Sequence, residues 1–302
     1  LKKNLKSCRI KMIKKKLLKN AKKIDEFLIN FLKKQKISLL VKPMKYGVIS
    51  GGKKIRSTII FDTGKIFNIK EKKLLNICAA VECVHSYSLI HDDLPCMDND
   101  TIRRGKPAAH IKFGEAPAVL AGSSLLTLAF EIISDKKFSI NFKSKNEIVR
   151  SLASCSGHTG IAGGQDLDLK FENKKKKFNQ IIDMQKKKTG KLFNFCLYAV
   201  GVVAKRNEKE KKFLSILGEE IGLLFQLADD FLDNKGSKKL VGKPVQKDNK
   251  KGKSTLLNLM GEKKAYLYAN NLKKKILRKL EKHGKKAEEL TSTIKFILER
   301  KF

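Results

Sequence analysis

Tryptophan is absent from this 302-residue sequence, tyrosine and proline occur five times each, and 67 lysines and arginines outnumber 30 acids. Each shortage excludes something. Few aromatics outside apolar patterns leave little to stack on bases, as readers of single-stranded nucleic acid do. The six cysteines, at 8, 78, 83, 96, 155 and 196, form no CxxC pair and no zinc-type Cys/His spacing. They read as reduced thiols of a cytoplasmic protein. The longest uncharged run, Ala116 to Phe130, is shorter than the ~20 apolar residues of a membrane span, so no span is expected. Strand signals are scarce too: β-branched alternation is rare and no Asn-Gly or Asp-Gly turn separates two such runs.

What is abundant is lysine. The net charge of +37 invites a nucleic-acid reading. Yet 59 of the basic residues are lysines and only 8 are arginines, spread along the chain rather than gathered on one element. Nucleic-acid readers lean on arginine, so solvated faces explain the bias better and no nucleic-acid partner is expected. The surviving arginines are then informative, and Arg56, Arg103 and Arg104 are three of them. The segment up to Lys23 holds eleven basic residues and no acid. Its apolar residues (Leu17, Leu18, Ala21, Ile24, Leu28) recur at helical intervals, so an ordinary first helix is expected rather than a targeting peptide.

With 41% hydrophobic residues the chain can bury a substantial core. Helical periodicity predicts helices at about 10–34, 42–50, 54–67, 71–92, 115–134, 145–158, 178–204, 208–233, 254–283 and 285–300. Glycine pairs at 51–52 and 163–164 and the lysine-rich stretch 234–253 are read as the main loops. The expectation is one all-α domain over residues 1–302, a bundle of about ten or more helices around a central active-site cavity.

The acids fall in two clusters. In HDDLPCMDNDTIRRG, residues 91–105, four aspartates (Asp92, Asp93, Asp98, Asp100) crowd together before Arg103 and Arg104. Crowded carboxylates repel unless a cation sits among them, and acids are disfavoured at a helix C-terminus. Straight helix would set Asp92 and Asp98 on nearly opposite sides, so the chain is expected to bend at Pro95 and bring them together. In IGLLFQLADDFLD, residues 221–233, Gln226, Asp229, Asp230 and Asp233 form one stripe at 3.6-residue periodicity. A surface stripe in this chain should carry lysine, so this one is expected to face a polar cavity. Carboxylates without thiol or imidazole partners select a hard cation, Mg2+ above all, completed by water and phosphate. Basic loops offer the phosphate contacts: Lys53 and Arg56 in GGKKIRS, Lys188 and Thr189 in KKKTG, Lys243 in VGK. Together with the arginine forks they describe a diphosphate site. His85, two turns before Asp92, shares its helix face; His91 reads as structural.

HDDLPCMDNDTIRRGKPAAH, GGKKIRS, SGHTGIAGGQDLDL, KKKTG and FQLADDFLD, in this order, resemble the trans-isoprenyl diphosphate synthases, and the bacterial farnesyl-forming members most of all. The resemblance covers residues 41 to 255. It implies a prenyltransferase that condenses isopentenyl diphosphate with allylic diphosphates by ionisation, condensation and proton loss. Asp92 and Asp98 would hold two Mg2+ ions, and Asp229, Asp230 and Asp233 a third, with Mn2+ as an alternative. Asp93 would share in catalysis with them. Lys53, Arg56, His85 and Arg104 would bind isopentenyl diphosphate; Arg103, Lys188, Thr189, Gln226 and Lys243 the allylic diphosphate. Tyr87, five residues before Asp92, would floor the product channel at fifteen carbons. A cytoplasmic homodimer is implied as well.

Departures from the family pattern are Lys54 for arginine, Ser57 for proline, Thr101 and Ser123 for aspartate, and Ala228 for glutamine. Ser123 is expected to affect helix packing beside the site. The alternatives are a geranylgeranyl diphosphate synthase, a non-catalytic synthase subunit, a terpene cyclase and a nucleic-acid binder. Retention of both aspartate motifs argues against the subunit. Lys53, Arg56 and Arg104 argue against the cyclase.

Overall fold

The computed structural model describes residues 2–35, 38–49, 51–235 and 253–299 and is all-α apart from one short hairpin. The chain forms two compact units, residues 1–149 and 150–302.

In the first unit α1 (Lys2–Lys33) buries Ile13, Leu17, Ala21, Ile24, Leu28 and Leu32, the inward stripe of a 3.6-residue period. Leu18 points outward and is exposed. Polar contacts fix the helix against α3 (Ile55–Ile66): Lys16 Nζ pairs with buried Asp62 at 2.8 Å, and Asn20 donates to Thr58 Oγ1 at 3.2 Å. Helix α2 (Val41–Ile49) and α3 flank α4 (Leu75–Asp92), which is buried from Ile77 to Val84, Glu82 included. A helix with no wet face must be central, and α4 carries the first acidic cluster at its C-terminal end.

Strands β1 (Ile102–Arg103) and β2 (Lys106–Pro107) pair antiparallel, with Arg103 opposite Lys106. The two turn residues, Arg104 (φ 53°) and Gly105 (φ 74°), are both left-handed, which makes a type I′ hairpin. The sequence carries no strand signal here, because Arg-Gly is not among the usual I′ pairs. Short α5 (Ala109–Phe113) leads into α6 (Glu115–Ser134). Among the described residues α6 alone is long and apolar enough to cross a membrane, contrary to the expectation drawn from its uncharged run. Its Ala118, Ala121, Leu125 and Ile132 are buried in packing with α4, as in a core helix. Helix α7 (Phe142–Ser156) follows.

In the second unit α8 (Ile161–Phe171) corrects the expectation of a loop at Gly163–Gly164. Gly164 lies inside this helix because the backbone of Lys187 and Lys188 passes against it, where a β-carbon would collide. Helix α9 (Phe178–Gln185) runs through a π-helical turn, Lys186–Gly190, into α10 (Lys191–Val203). The continuous helix expected over 178–204 is thus interrupted by one widened turn at KKKTG. Such turns expose backbone groups and recur at functional sites. Helix α11 (Glu208–Lys235) crosses this segment at backbone distance: a β-carbon on Gly222 would sit 2.6 Å from the Gly190 α-carbon. Next come α12 (Leu256–Met260), capped by Thr255 Oγ1, and α13 (Glu262–Leu280). Gly261 (φ 77°) separates them, so the single helix expected over 254–283 is two. A 3-10 stretch leads to α14 (Glu288–Glu299).

Gly164→Ala forces the α8 backbone off the π-turn. A loss of about 2–4 kcal/mol is expected, read as a fall in melting temperature by differential scanning calorimetry. A melting temperature equal to wild type would refute the close approach.

Candidate active site

The chain turns sharply after α4. The Asp98 amide donates to the Asp92 carbonyl at 2.8 Å, and the Asp100 amide to the Asp93 carbonyl at 3.1 Å. The bend expected at Pro95 therefore brings Asp92 and Asp98 onto one turn, where both are partly exposed. Asp93 behaves differently. Its buried carboxylate accepts from Arg103 Nε at 3.0 Å on both oxygens and pairs with Nη2, and Asp100 lies 3.6 Å from the same guanidinium. Burial pushes the Asp93 carboxyl up, and Arg103 pulls it back only in part. Arg103 itself is held charged, because Asp93 outweighs the burial that would lower it.

The I′ turn sends the next residue elsewhere. Arg104 Nη1 donates to the Gly51 carbonyl at 2.6 Å, and its guanidinium packs on Gly52, where a β-carbon would stand 2.9 Å from Cζ. Gly52 also sits at φ 104°, a conformation that side chains rarely adopt. The GGKKIRS loop and the second arginine of the motif thus build one basic corner, with Arg56 buried at the start of α3 and Lys53 exposed. His85 lies in this field. Burial first, then Arg56, Arg104, Arg103 and Lys54, hold its pKa well below the usual imidazole value, so it is neutral near pH 7. Tyr87 stands edge-on to His91, centroids 4.9 Å apart. His91 Nε2 contacts the Val119 carbonyl at 3.0 Å and its ring lies over Gly122, consistent with a structural residue. Ser123, one position on, is exposed, so Gly122 makes the close contact with α4.

In the second unit the α11 stripe is linked to the π-turn through side chains. Thr189 Oγ1 donates to Gln226 Oε1 at 2.7 Å, and Gln226 Nε2 to Asp230 Oδ1 at 2.8 Å. Gln185 Nε2 donates to Asp230 Oδ2 at 3.0 Å. Asp230 and Asp233 are buried, and Gln226 and Asp229 are partly exposed. Lys188 pairs with Asp168 at 2.5 Å, and Lys253 reaches the same Asp168 oxygen at 2.9 Å. Burial alone would raise the Asp168 carboxyl; the two lysines outweigh it and hold it at about 2. Asp168, Lys253 and Gln185 were missed from sequence. The signal for Asp168 lay in GQDLDL; a lone lysine in a lysine-rich stretch gives none. Lys243 lies outside the described residues.

One cluster of carboxylates is set beside the arginine of its own motif and the other beside side-chain amides, in an all-helical fold. A family model for polyprenyl synthetase matches residues 37–296, and the chain belongs to that family. Farnesyl diphosphate synthase of Escherichia coli is 41% identical over 237 residues, 77% of this chain and 79% of the relative. An FPP/GFPP synthase from Zymomonas mobilis superposes with a TM-score of 0.85 at 35% identity, over 96% of this chain and 99% of that one. A Helicobacter pylori geranyltransferase, solved with magnesium and isoprenyl diphosphate, gives 0.80 at 30% identity, over 95% and 97%. The chain is therefore a prenyltransferase of the short-chain type.

Asp168→Asn removes a carboxylate whose pKa is lower folded than unfolded. The expected cost at pH 7 is roughly 2 kcal/mol of unfolding free energy. This difference from wild type should be full above about pH 4 and shrink as pH falls toward 2, in urea titrations across that range. A difference independent of pH would refute the ion-pair origin.

Proposed function

We propose that the protein condenses isopentenyl diphosphate with dimethylallyl and geranyl diphosphates and stops at farnesyl diphosphate. The observation that carries this reading is the division of labour in the first motif. Arg103 takes Asp93, while the backbone folds back from Asp98 to Asp92 and the hairpin sends Arg104 to the glycine loop. Residues 1–302 are read as one catalytic domain, acting as a cytoplasmic homodimer. The six thiols are all free, which suits a reducing compartment.

The carboxylates fit Mg2+. Asp92 and Asp98 in one unit, and Asp229, Asp230 and Asp233 in the other, offer hard oxygens. Among the described residues no three acidic, thiol or imidazole groups already converge on one point. Water and phosphate oxygens would complete each shell, as Mg2+ prefers. Bound there, up to three Mg2+ ions (or Mn2+) would supply Lewis-acid stabilisation of the departing diphosphate.

The protein's own groups do the rest. Lys188 and Thr189 at the π-turn, with Gln226, bind the allylic diphosphate and stabilise its charge as the C–O bond ionises; Arg103 and Lys243 are the further residues the family resemblance assigns to that ligand. Lys253, beside Lys188, belongs to the same set. Asp168 keeps both ammonium groups placed, and Gln185 and Gln226 orient Asp230. Lys53, Arg56, Arg104 and neutral His85 bind isopentenyl diphosphate, whose double bond attacks the allylic cation. His85 donates one N–H without adding charge. The proton is then lost to the released pyrophosphate. Tyr87, half-buried below the turn, limits chain growth.

Incubation with labelled isopentenyl diphosphate and five-, ten- or fifteen-carbon primers, with Mg2+ or chelator, tests the reading. Metal-dependent farnesyl diphosphate is expected. Asp92→Ala, Asp98→Ala and Asp229→Ala should each lower kcat about a hundredfold or more, and Tyr87→Ala should lengthen the product. A twenty-carbon product from wild type would refute Tyr87 as the floor. No product from a folded protein would refute the synthase.

A further inference from the structure

Lys54 stands where the family pattern has arginine, between exposed Lys53 and buried Arg56, and is itself buried. Its ammonium donates to the Val48 carbonyl at 2.9 Å and pairs with Asp25 of α1 at 3.1 Å. In a corner that also holds Lys53, Arg56 and Arg104, Asp25 supplies the counter-charge that an inward ammonium needs. The Lys54 carbonyl accepts the Thr58 amide at 3.1 Å, so the same residue starts the hydrogen bonding of α3. Its backbone is left-handed, at φ 40° and ψ 50°, which a residue with a β-carbon keeps only where its surroundings hold it. The side chain does this by returning to a carbonyl six residues earlier, which closes the loop between α2 and α3. Inside the closure Gly51 and Gly52 sit at φ 92° and 104°, and a β-carbon on Gly51 would meet nothing within 4 Å. Polar ties rather than packing therefore place Gly51: its amide donates to the Ile49 carbonyl at 2.7 Å, and its carbonyl accepts from Arg104. On the far side of Lys54 the first turn of α3 is pinned, because the Ser57 hydroxyl donates to buried Glu82 at 2.7 Å.

We propose that Lys54, gripped by Asp25, is a positioning residue for the isopentenyl diphosphate loop: the clamp of Val48, Lys54 and Asp25 holds Lys53 and Arg56 where they bind the diphosphate. The inference rests on the function proposed above and adds Lys54 and Asp25, which touch no substrate. Turning Lys54 inward sets its neighbour Lys53 outward on the loop, and the closure fixes where the helical turn carrying Arg56 begins. Arg104 reaches the same loop from the hairpin, at the Gly51 carbonyl, so its place depends on the closure too. Without the ammonium, the Val48 carbonyl and Asp25 lose their shared donor, and a buried acceptor left unpaired is costly unless the chain moves. The two glycines let it move. Lys53, Arg56 and Arg104 then keep no fixed spacing, and a displacement of about 1 Å is enough to weaken placed polar contacts.

The test uses full-length Lys54→Met, Lys54→Arg, Asp25→Asn and the Lys54→Met/Asp25→Asn double variant, each with a melting temperature. KM is measured separately for isopentenyl diphosphate and for geranyl diphosphate. Lys54→Met is expected to raise KM for isopentenyl diphosphate about tenfold and to leave that for geranyl diphosphate within about twofold. Asp25→Asn, which keeps the bond to Val48 and covers the case of a Lys54→Met protein that does not fold, should raise it about threefold. Lys54→Arg should restore wild-type KM within about twofold, because a guanidinium can serve the same two acceptors. The double variant should match Lys54→Met, because the clamp is already open. Equal rises for both substrates, no rescue by arginine, or a lower melting temperature with no selective change in KM would overturn the clamp. Calorimetric binding of isopentenyl diphosphate alone separates this from the parent reading. A wild type that binds without turnover overturns the synthase, and the affinities of the variants still decide the clamp. Equal binding by wild type and Lys54→Met overturns the clamp, and a wild type that binds nothing overturns both.

Discussion

The ion pair between Arg103 and Asp93 is the interaction on which the first unit's chemistry depends. Four aspartates within nine residues would repel, and the C-terminal end of a helix disfavours them. Committing Asp93 to an arginine ten residues on removes one negative charge from the crowd and closes the loop between α4 and the hairpin. With that loop closed, the Asp98 amide reaches back to the Asp92 carbonyl. The same closure fixes the I′ turn that separates Arg103 from Arg104. Adjacent arginines then serve opposite partners: one an aspartate of its own motif, the other a glycine loop 53 residues upstream.

The second unit solves a parallel problem differently. Its acids lie along α11 rather than in a turn, and neutral amides, not arginine, hold Asp230. An amide donor orients a carboxylate oxygen without cancelling its charge. The lysines meanwhile take the off-stripe Asp168. The close packing that allows this comes from glycine: Gly164 admits the π-turn, and Gly190 and Gly222 let α10 and α11 meet at backbone distance.

Much of this was legible in the sequence, and the failures have physical causes. The helices were readable where an apolar stripe repeats, as in α1, or where apolar residues run unbroken, as in α4. The Asp98 fold-back followed from Pro95 and the spacing of the acids. Helix α8 was missed because Gly163 and Gly164 look like loop residues, whereas Gly164 answers to a neighbour distant in sequence. The hairpin was missed because an arginine occupies its first left-handed position. Asp168 and Lys253 were hidden for the same reason: a buried ion pair is a property of two segments, and either residue alone is unremarkable. Ser57 showed only as a departure from pattern until its hydroxyl was seen to face Glu82.

The charge of +37 finds a use within the same physics. Outward positions of α1, such as Lys11, Lys14, Lys15, Lys19 and Lys22, are exposed, and they carry much of the excess on that helix. The acids assigned to the reaction sit instead in buried or half-buried positions among amides and arginines. Exposed lysines screened over ~8–10 Å contribute little to stability. They do set a positive potential that raises the local concentration of polyanions and the rate of encounter. Both proposed substrates are diphosphates, so lysine on solvated faces favours their capture without touching the site. Specificity must then come from the few placed groups, because a diffuse positive field attracts any anion equally. In the first unit the groups fixed in this way are Arg103, held by Asp93, and Arg104, held by the glycine loop, and most of the fifty-nine lysines have no such anchoring.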